Sequence, residues 1–326
     1  MTKNRLRFRD TPHPLSTVHL YYMFSRDIQL FGPQARPGSP LSLREANRYC
    51  RKLAKRHYEN FTVASWLLPG RLRQHFYNVY AYCRWADDLA DETGDAKRSL
   101  ELLDWWERQL RDCYIGKAVH PVFIALAETI RKFEIPIDPF LDLLSAFRQD
   151  QRVSRYEMID DLLQYCLRSA NPVGRLVLYL GECYTTERVE LADSICTGLQ
   201  LANFCQDVVG DWDRGRIYLP QADCRPCGYT EAMFARRECN QAFHRLMIIQ
   251  VDRAEGFLRA GLPLIKMMPR DLRLDVALFI HGGLAILRAI RRRDYDVWTR
   301  RPRISKMEKL KLFVKYWWKR NDENIE

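Results

Sequence analysis

The chain of 326 residues is predicted to be an all-α protein with a single helical domain. Three observations support this prediction. Apolar residues recur three and four positions apart from Ser42 onward, as expected for amphipathic helices, and no stretch shows the sustained alternation of a β-strand. The connections between predicted helices are short, which favours antiparallel packing of neighbours. Hydrophobic residues make up 47% of the chain, enough for one large core.

Helix start and stop signals divide the domain into segments. Ser42 and Glu45 have the spacing of a capping box, which predicts a helix from residue 43 to about 57. Pro69 and Gly70 precede a second helix. The remaining predicted helices cover, approximately, 71–92, 95–115, 121–134, 138–150, 229–260 and 271–294. A further helical pattern continues through Pro172, where the missing NH group and the steric clash of the ring predict a kink.

The first forty residues differ from the rest in composition. Residues 1–40 contain five prolines and two glycines without a lasting apolar period, so we expect a mobile extension before a helical domain at 41–326. No apolar segment follows the charged N-terminus, which argues against a secretory signal. The longest apolar run, at 276–287, is too short to span a bilayer.

The charge and cysteine content narrow the class of protein. A net charge of +11 fits nucleic acid, an anionic membrane or an anionic substrate, but no zinc-finger or RRM-like motif supports nucleic acid. Ten cysteines, most of them placed singly in apolar helical patterns, predict reduced thiols and a cytoplasmic protein. One group has loosely zinc-like spacing and is either a metal site or a set of incidental thiols; it comprises Cys224, Cys227, Cys239 and His244.

A polar stripe in the segment YAYCRWADDLAD is the strongest functional signal. Tyr80, Arg84, Asp87 or Asp88, and Asp91 lie on one side of a helix, because residues three and four apart are neighbours. Three carboxylates so close repel one another, so the stripe needs a compensating cation unless it is a solvated surface. Mg²⁺ prefers carboxylate oxygens and bridges them to phosphates, and an arginine guanidinium binds phosphate oxygens directly.

A second polar stripe has matching spacing. Gln200, Asn203, Asp207 and Asp211 are separated by three, four and four positions within another apolar helical pattern. Buried carboxylates need a cation to compensate their charge. Two such stripes therefore predict that both helices point their acids into a shared cavity, where a metal ion and a diphosphate bind.

The two acid motifs resemble those of the squalene/phytoene synthases, which join prenyl diphosphates head to head in an all-helical cavity. The resemblance runs from about residue 43 to the C-terminus. It implies a bundle of the class I isoprenoid synthase type with a central cavity, a prenyl diphosphate substrate and Mg²⁺ as cofactor. The residues that it implies as catalytic are Tyr80, Arg84, Asp87, Asp91, Asp207 and Asp211. The implied metal ligands are Asp87, Asp91, Asn203, Asp207 and Asp211.

The same resemblance implies a set of substrate-binding residues. The segment YCLRSANPVG at 165–174 is similar to the part of the family that lines the prenyl channel, and the loop RIYLP at 216–220 follows the second motif. A proline kink beside small residues would open space for a prenyl chain, although it also suits an ordinary core helix. The implied residues are Asn60, Phe61, Asp88, Tyr165, Ala170, Val173, Gly174, Gln200, Gln206, Arg216 and Tyr218.

Two departures from the common family pattern point to one branch. Asn60 and Phe61 stand where a serine-rich stretch is usual, and Gln206 stands where an arginine usually precedes the second acid motif. Both variants resemble the hydroxysqualene synthases of bacterial hopanoid pathways, which ionise presqualene diphosphate and capture the rearranged cation with water. The resemblance also implies functional coupling to an enzyme that supplies presqualene diphosphate. Asn60 and Gln206 are the candidates for positioning the water.

Two other functions remain open at this stage. A condensing synthase that makes presqualene diphosphate, squalene or a phytoene-like product from farnesyl or geranylgeranyl diphosphate would use the same acids. A non-catalytic basic protein of the membrane surface would need neither acid motif. Residues 304–326 combine apolar positions with many lysines, a pattern of interfacial helices, so we expect either peripheral membrane contact or packing against the bundle. No glycine-rich dinucleotide motif supports a nicotinamide-dependent reduction.

Overall fold

The computed structural model describes residues 26–35, 41–56 and 68–319. The helices of these ranges, after a helical segment at 26–31, are α1 (Leu43–Arg56), α2 (Gly70–Asp91), α3 (Ala96–Tyr114), α4 (Pro121–Phe133), α5 (Asp138–Asp150), α6 (Ile159–Ser169), α7 (Asn171–Leu180), α8 (Thr186–Gln206), α9 (Val208–Asp213), α10 (Gln221–Cys227), α11 (Glu231–Ala235), α12 (Gln241–Ala260), α13 (Leu264–Met267), α14 (Arg273–Arg291) and α15 (Lys306–Lys319). No β-strand occurs in them, only one parallel bridge between Arg155 and Ile217. The all-α prediction is confirmed.

The first helix starts with the hydrogen bonds that its sequence predicts. The backbone NH of Ser42 donates to a carboxylate oxygen of Glu45 at 2.9 Å, and the NH of Glu45 donates to the Ser42 hydroxyl at 3.3 Å. These reciprocal bonds satisfy NH groups that have no partner within the helix. The segment at 26–35, which belongs to the predicted N-terminal extension, packs against α1, where Asp27 accepts a hydrogen bond of 3.0 Å from Tyr49.

Three predicted helices are interrupted. The pattern through Pro172 is broken rather than kinked: α6 ends at Ser169, and Pro172 lies in the first turn of α7, where a proline needs no intrahelical partner. The predicted helix at 229–260 is divided into α11 and α12, and Asn240 accepts the hydrogen bond that caps α12. The second acid stripe also spans a break, because α8 ends at Gln206 and Asp207 caps it.

The acid-bearing helix α2 is anchored through its opposite face. Trp85 stacks on Trp106 with a centroid distance of 5.2 Å, and the Tyr82 hydroxyl donates to the Phe140 carbonyl at 2.9 Å. His120 packs edge-on against both tryptophans. This buried aromatic cluster fixes the rotation of α2 about its axis, because large fully buried rings stabilise one arrangement of the helix far more than any other. The acid stripe is thereby turned away from the cluster.

The centre of the bundle is α8, which packs against α7, α12 and α14. Gly174 of α7 allows a close approach to α8, since a Cβ atom there would lie 2.7 Å from the sulfur of Cys196. The space enclosed by α2, α7, α8 and α14 forms the central cavity. Across the three described ranges, no helix combines the length and apolar composition that crossing a bilayer requires.

Candidate active site

The central cavity has a volume of about 420 Å³ and mostly apolar walls. Its polar lining near one end comes from the first acid motif, with Tyr80, Arg84 and Asp87 on α2. Val173 and Gly174, both predicted to lie along a prenyl chain, form part of the α7 wall. A mostly apolar chamber with acidic and basic groups together near one end suits a ligand with a hydrocarbon chain and a charged head.

The acids of the first motif are only partly compensated by Arg84. Its guanidinium lies 2.9 Å from Asp87 and is also bonded to Asp88, which is buried. Burial raises the pKa of Asp88 to about 7, although the neighbouring guanidinium opposes the rise. The pKa of Asp87 is raised by desolvation and by the charge of Asp91, again against Arg84. An additional cation would therefore favour the ionised form of both carboxylates.

The second motif keeps helical register across the break after Gln206. The NH of Asp207 donates to the Asn203 carbonyl, and the NH of Asp211 donates to the Asp207 carbonyl, each at 2.9 Å. Asp207 and Asp211 therefore stay one turn apart, as the spacing predicted. Desolvation and the charge of Asp207 raise the pKa of Asp211 to about 7. Gln200 is half-buried on the same stripe, and Asn203 is exposed.

The loop after α9 connects the two motifs. Arg216 lies 3.2 Å from a carboxylate oxygen of Asp91 in the first motif, and its charge also acts on Asp211 in the second. The charge of Arg214 reaches both Asp87 and Asp211. The bridge from Arg155 to Ile217, next to Arg216, holds the loop in place. Arg214 and Arg216 are therefore charged groups that the two acid motifs share.

A half-buried acid that was not predicted lies next to this loop. Asp150, the last residue of α5, accepts hydrogen bonds from the hydroxyls of Tyr165 at 2.8 Å and Tyr218 at 3.2 Å. Its backbone carbonyl accepts from Arg216 at 3.4 Å. Burial raises the pKa of Asp150 to about 6, against the pull of that guanidinium and both phenols. Asp150 thus orients Tyr218 beside the arginine that bonds Asp91.

A second residue of the site, Arg301, was not predicted from the sequence. Arg301, in the segment between α14 and α15, lies 3.2 Å from a carboxylate oxygen of Asp207. The run RRPR at 300–303 could have indicated it, because closely spaced arginines in a chain with buried acids favour an ion pair with one of those acids. For Asp150 the only signal was an acid ending an apolar helix.

Other predicted residues lie away from the cavity wall or outside the described chain. Tyr165 and Ala170 are buried and are not part of the described cavity lining, because Tyr165 turns towards Asp150. Gln206 donates from Nε2 to the Pro302 carbonyl at 2.6 Å. Asn60 and Phe61 fall within 57–67, outside the described residues.

The described side chains form no closed set of metal ligands. In the described part of the chain, no three His, Cys, Asp or Glu side chains converge closely enough to hold a metal ion unaided. In the zinc-like group, the sulfur of Cys239 lies 3.4 Å from Nε2 of His244, while Cys224 and Cys227 are buried. The two acid motifs instead offer carboxylate oxygens that are not gathered into one closed cluster, which fits Mg²⁺ bound through one or two acids and phosphate oxygens.

The fold and site together define an all-helical protein with an apolar cavity, the first acid motif in its wall, and a second acid motif that shares the charges of Arg214 and Arg216 with the first. Residues 54–308 match the family described as squalene/phytoene synthase. The phytoene synthase of Arthrospira platensis is 30% identical over 288 residues, covering 83% of this chain and 92% of that protein. The 15-cis-phytoene synthase of Synechococcus elongatus is also 30% identical, covering 85% and 94%.

Solved structures show the same relationship. The crystal structure of squalene synthase HpnC from Alicyclobacillus acidocaldarius is similar with a TM-score of 0.74 and 44% identity, covering 78% of this chain and 95% of that one. A dehydrosqualene synthase in complex with a ligand has a TM-score of 0.77 and 29% identity, covering 85% and 98%. The chain belongs to the squalene/phytoene synthase family and has the class I isoprenoid synthase fold. The members of this family are enzymes that act on prenyl diphosphates and join them head to head.

Proposed function

We propose that this enzyme ionises presqualene diphosphate with Mg²⁺ and captures the cation with water, giving hydroxysqualene and diphosphate. The observation that carries the proposal is that two acid motifs share the charges of Arg214 and Arg216, while the first motif lies in the wall of an apolar cavity. Gln206, which stands where an arginine usually precedes the second motif, supports the water-capturing branch because this variant resembles the hydroxysqualene synthases. An enzyme that supplies presqualene diphosphate would then precede it.

The metal ions would be held by the acids of both motifs. We assign this role to Asp87, Asp91, Asn203, Asp207 and Asp211, whose oxygen atoms are of the type that Mg²⁺ prefers. Bound Mg²⁺ would neutralise the charge that develops on the leaving diphosphate. Asp88 is buried against Arg84, so we expect it to orient that guanidinium rather than to contact the metal directly.

The chain's own donors would stabilise the leaving group. Arg84 and Tyr80 lie at the cavity wall and Arg216 lies beside Asp91, so these three groups can donate to phosphate oxygens as the C–O bond breaks, whereas the single hydroxyl proton of Tyr218 is donated to Asp150. Asp150 holds the phenol of Tyr218 in place. The apolar walls exclude bulk water from the cation. One admitted water forms the new C–O bond and loses a proton.

Two residues are proposed to position that water. Nε2 of Gln206 is engaged by the Pro302 carbonyl, so its Oε1 is the atom that could accept a hydrogen bond from water. Asn60 lies outside the described residues and stays a candidate on its sequence alone.

Head-to-head condensation is the second candidate function. It is favoured by the names of the relatives, which include phytoene synthases at 30% identity and a structure described as a squalene synthase at 44% identity. Incubation with presqualene diphosphate in ¹⁸O-labelled water, followed by mass spectrometry, separates the two. A labelled thirty-carbon alcohol supports water capture. Diphosphate release and a hydrocarbon from farnesyl diphosphate alone would overturn it in favour of condensation.

The acid motifs can be tested independently of the product. Asp87→Asn and Asp207→Asn are each expected to lower Mg²⁺-dependent diphosphate release by about 10²–10³-fold, the loss typical of removing one preorganised charge-stabilising group. Asp213→Asn is the matched control, because Asp213 lies on α9 but pairs with Arg237 at the surface. Turnover near wild type in both motif variants would reject the site, and a protein without Mg²⁺-dependent turnover would be a non-catalytic surface protein.

We also propose that α15 contacts an anionic membrane surface. One side of α15 packs on the bundle, where Tyr316 stacks on His281 with a centroid distance of 4.2 Å. The other side exposes an apolar stripe whose members are Met307, Leu310, Val314 and Trp317. At 3.6 residues per turn, Lys306 lies along one edge of the stripe and Lys311 and Lys315 along the other. Apolar residues edged by lysines match an anionic bilayer interface.

Vesicle sedimentation tests this contact. Leu310→Glu is expected to weaken binding to vesicles that contain anionic lipid, while Val119→Glu, an equally exposed position on another part of the surface, should not. Light scattering tests the competing occupant, a second copy of the chain. If Leu310→Glu converts a dimer to a monomer and leaves vesicle binding unchanged, the stripe is a self-interface and the membrane contact is rejected.

A further inference from the structure

Asp275 is a buried carboxyl group in the cavity that the proposed reaction does not use. It lies at the third position of α14 and is only 4% exposed. Its neighbours in the cavity wall are apolar, among them Leu272, Val276 and Met268. Neither of its carboxyl oxygens has a hydrogen-bond partner in the described part of the chain.

The position of Asp275 is remote from the acid motifs. Asp271, one helical turn before it, lies 2.9 Å from Arg71 at the start of α2. Asp87 comes sixteen residues after Arg71 on that helix, which corresponds to about 24 Å at about 1.5 Å per residue. The cavity therefore has acids and arginines at one end and a single unpaired carboxyl group near the other.

An unpaired carboxyl group in an apolar cavity needs a polar partner such as water, whether or not the group is protonated. Burial raises the pKa of Asp275 to about 7, and its own backbone NH, which is not placed to form a hydrogen bond, opposes the rise only weakly, so both forms are populated near neutral pH. In either form the group still needs a polar partner, because removing a polar group from water without a replacement bond is unfavourable. A hydrocarbon chain cannot provide that partner.

We propose that Asp275 determines specificity by limiting the length of prenyl chain that the cavity accepts. A chain that stops short of Asp275 leaves room for water on the carboxyl group. A chain longer by one isoprene unit displaces that water and leaves the carboxyl group unpaired. The inference rests on the proposed function, since it assumes that a prenyl chain fills the cavity with its diphosphate at the acid motifs.

Binding of unreactive substrate analogues tests this role without turnover. The full chain with Mg²⁺ is titrated calorimetrically with the thiodiphosphate analogues of farnesyl and geranylgeranyl diphosphate. We expect the wild type to prefer the farnesyl analogue by about 10-fold to 100-fold, the range for one buried polar group left unpaired. Asp275→Val should bring the ratio of the two dissociation constants close to one. Asp275→Asn should keep the preference, because an amide also needs a polar partner.

Asp271→Asn is the control variant for these titrations. Asp271→Asn removes a nearby acid that pairs with Arg71 outside the cavity, and it should leave the ratio unchanged. Asp275→Ala carries the same expectation as the valine variant if thermal unfolding shows that the latter does not fold. An unchanged ratio in the apolar variant, or no preference in the wild type, overturns the role of Asp275 alone. Failure of the wild type to bind either analogue also overturns the role of Asp275, and the proposed function fails with it only if the same protein does not release diphosphate from presqualene diphosphate.

Discussion

The guanidinium of Arg301 lies 3.2 Å from a carboxylate oxygen of Asp207, joining the segment before α15 to the second acid motif. The next residue, Pro302, accepts a hydrogen bond from Gln206. Gln206 and Asp207 are thus both held by the same segment. A positive charge that the motif itself lacks at position 206 is supplied from a distant part of the chain, so the departure from the family pattern does not leave Asp207 without a cation.

Arg301→Gln is predicted to lower diphosphate release by about 10²-fold, as for the loss of one charged donor at a reacting group. The effect on stability should stay below about 1 kcal/mol, because both side chains of the pair are partly exposed and such pairs contribute little. Steady-state turnover and thermal unfolding measure the two effects. Arg303→Gln, on the same exposed segment, is the control, and equal turnover in both variants would contradict the prediction.

Asp150→Asn is predicted to destabilise the protein by about 1–3 kcal/mol, because its amide nitrogen cannot accept a bond and one of two buried phenols loses its partner. Urea unfolding measures this change. Tyr218→Phe removes the same hydrogen bond, so the double variant should lose less than the sum of the single losses. Strict additivity would show that the carboxylate and the phenol do not act together.

The stability difference between wild type and Asp150→Asn is predicted to depend on pH. Because burial raises the pKa of Asp150 in the folded protein from 3.8 to about 6, the folded state binds the proton more tightly than the unfolded state. The resulting stabilisation is fully present below about pH 4 and is lost as the pH rises through about 6. Metal-free protein unfolded by urea at pH 4.5 and 7.5 should show a smaller advantage of the wild type at the higher pH. A larger advantage at pH 7.5 would show that the pKa is lowered instead.

Gly174→Ala is predicted to destabilise the contact between α7 and α8 by about 1–3 kcal/mol, the usual effect of overpacking a core. The new methyl group would lie 2.7 Å from the sulfur of Cys196. Cys196→Ala removes that sulfur, so it should recover much of the loss in the double variant. Gly256→Ala is the control, since a Cβ atom there meets nothing within 4 Å. No recovery in the double variant would place the strain elsewhere.

Local spacing was sufficient to predict the class of fold and the two acid motifs. Each of these features depends on residues within one or two helical turns. They are the capping pair Ser42 and Glu45, the start of α2 after Pro69, and the shared helix face of Asp87 and Asp91. Hydrogen bonds of that range form in nearly the same way whatever the rest of the chain does, which is why a single sequence carries them.

Only the tertiary structure decided which distant groups contact the acid motifs and their neighbours or line the cavity. Asp150 and Asp275 are isolated in the sequence and Arg301 belongs to a short basic run, but no spacing relates any of the three to either motif. Packing brings Asp150 under two tyrosines, places Arg301 on Asp207 and leaves Asp275 unpaired in an apolar wall. It also ends α8 at Gln206 and starts a new helix at Asn171. Such contacts join residues far apart along the chain, and their burial and pairing arise only when the helices are assembled around a common core.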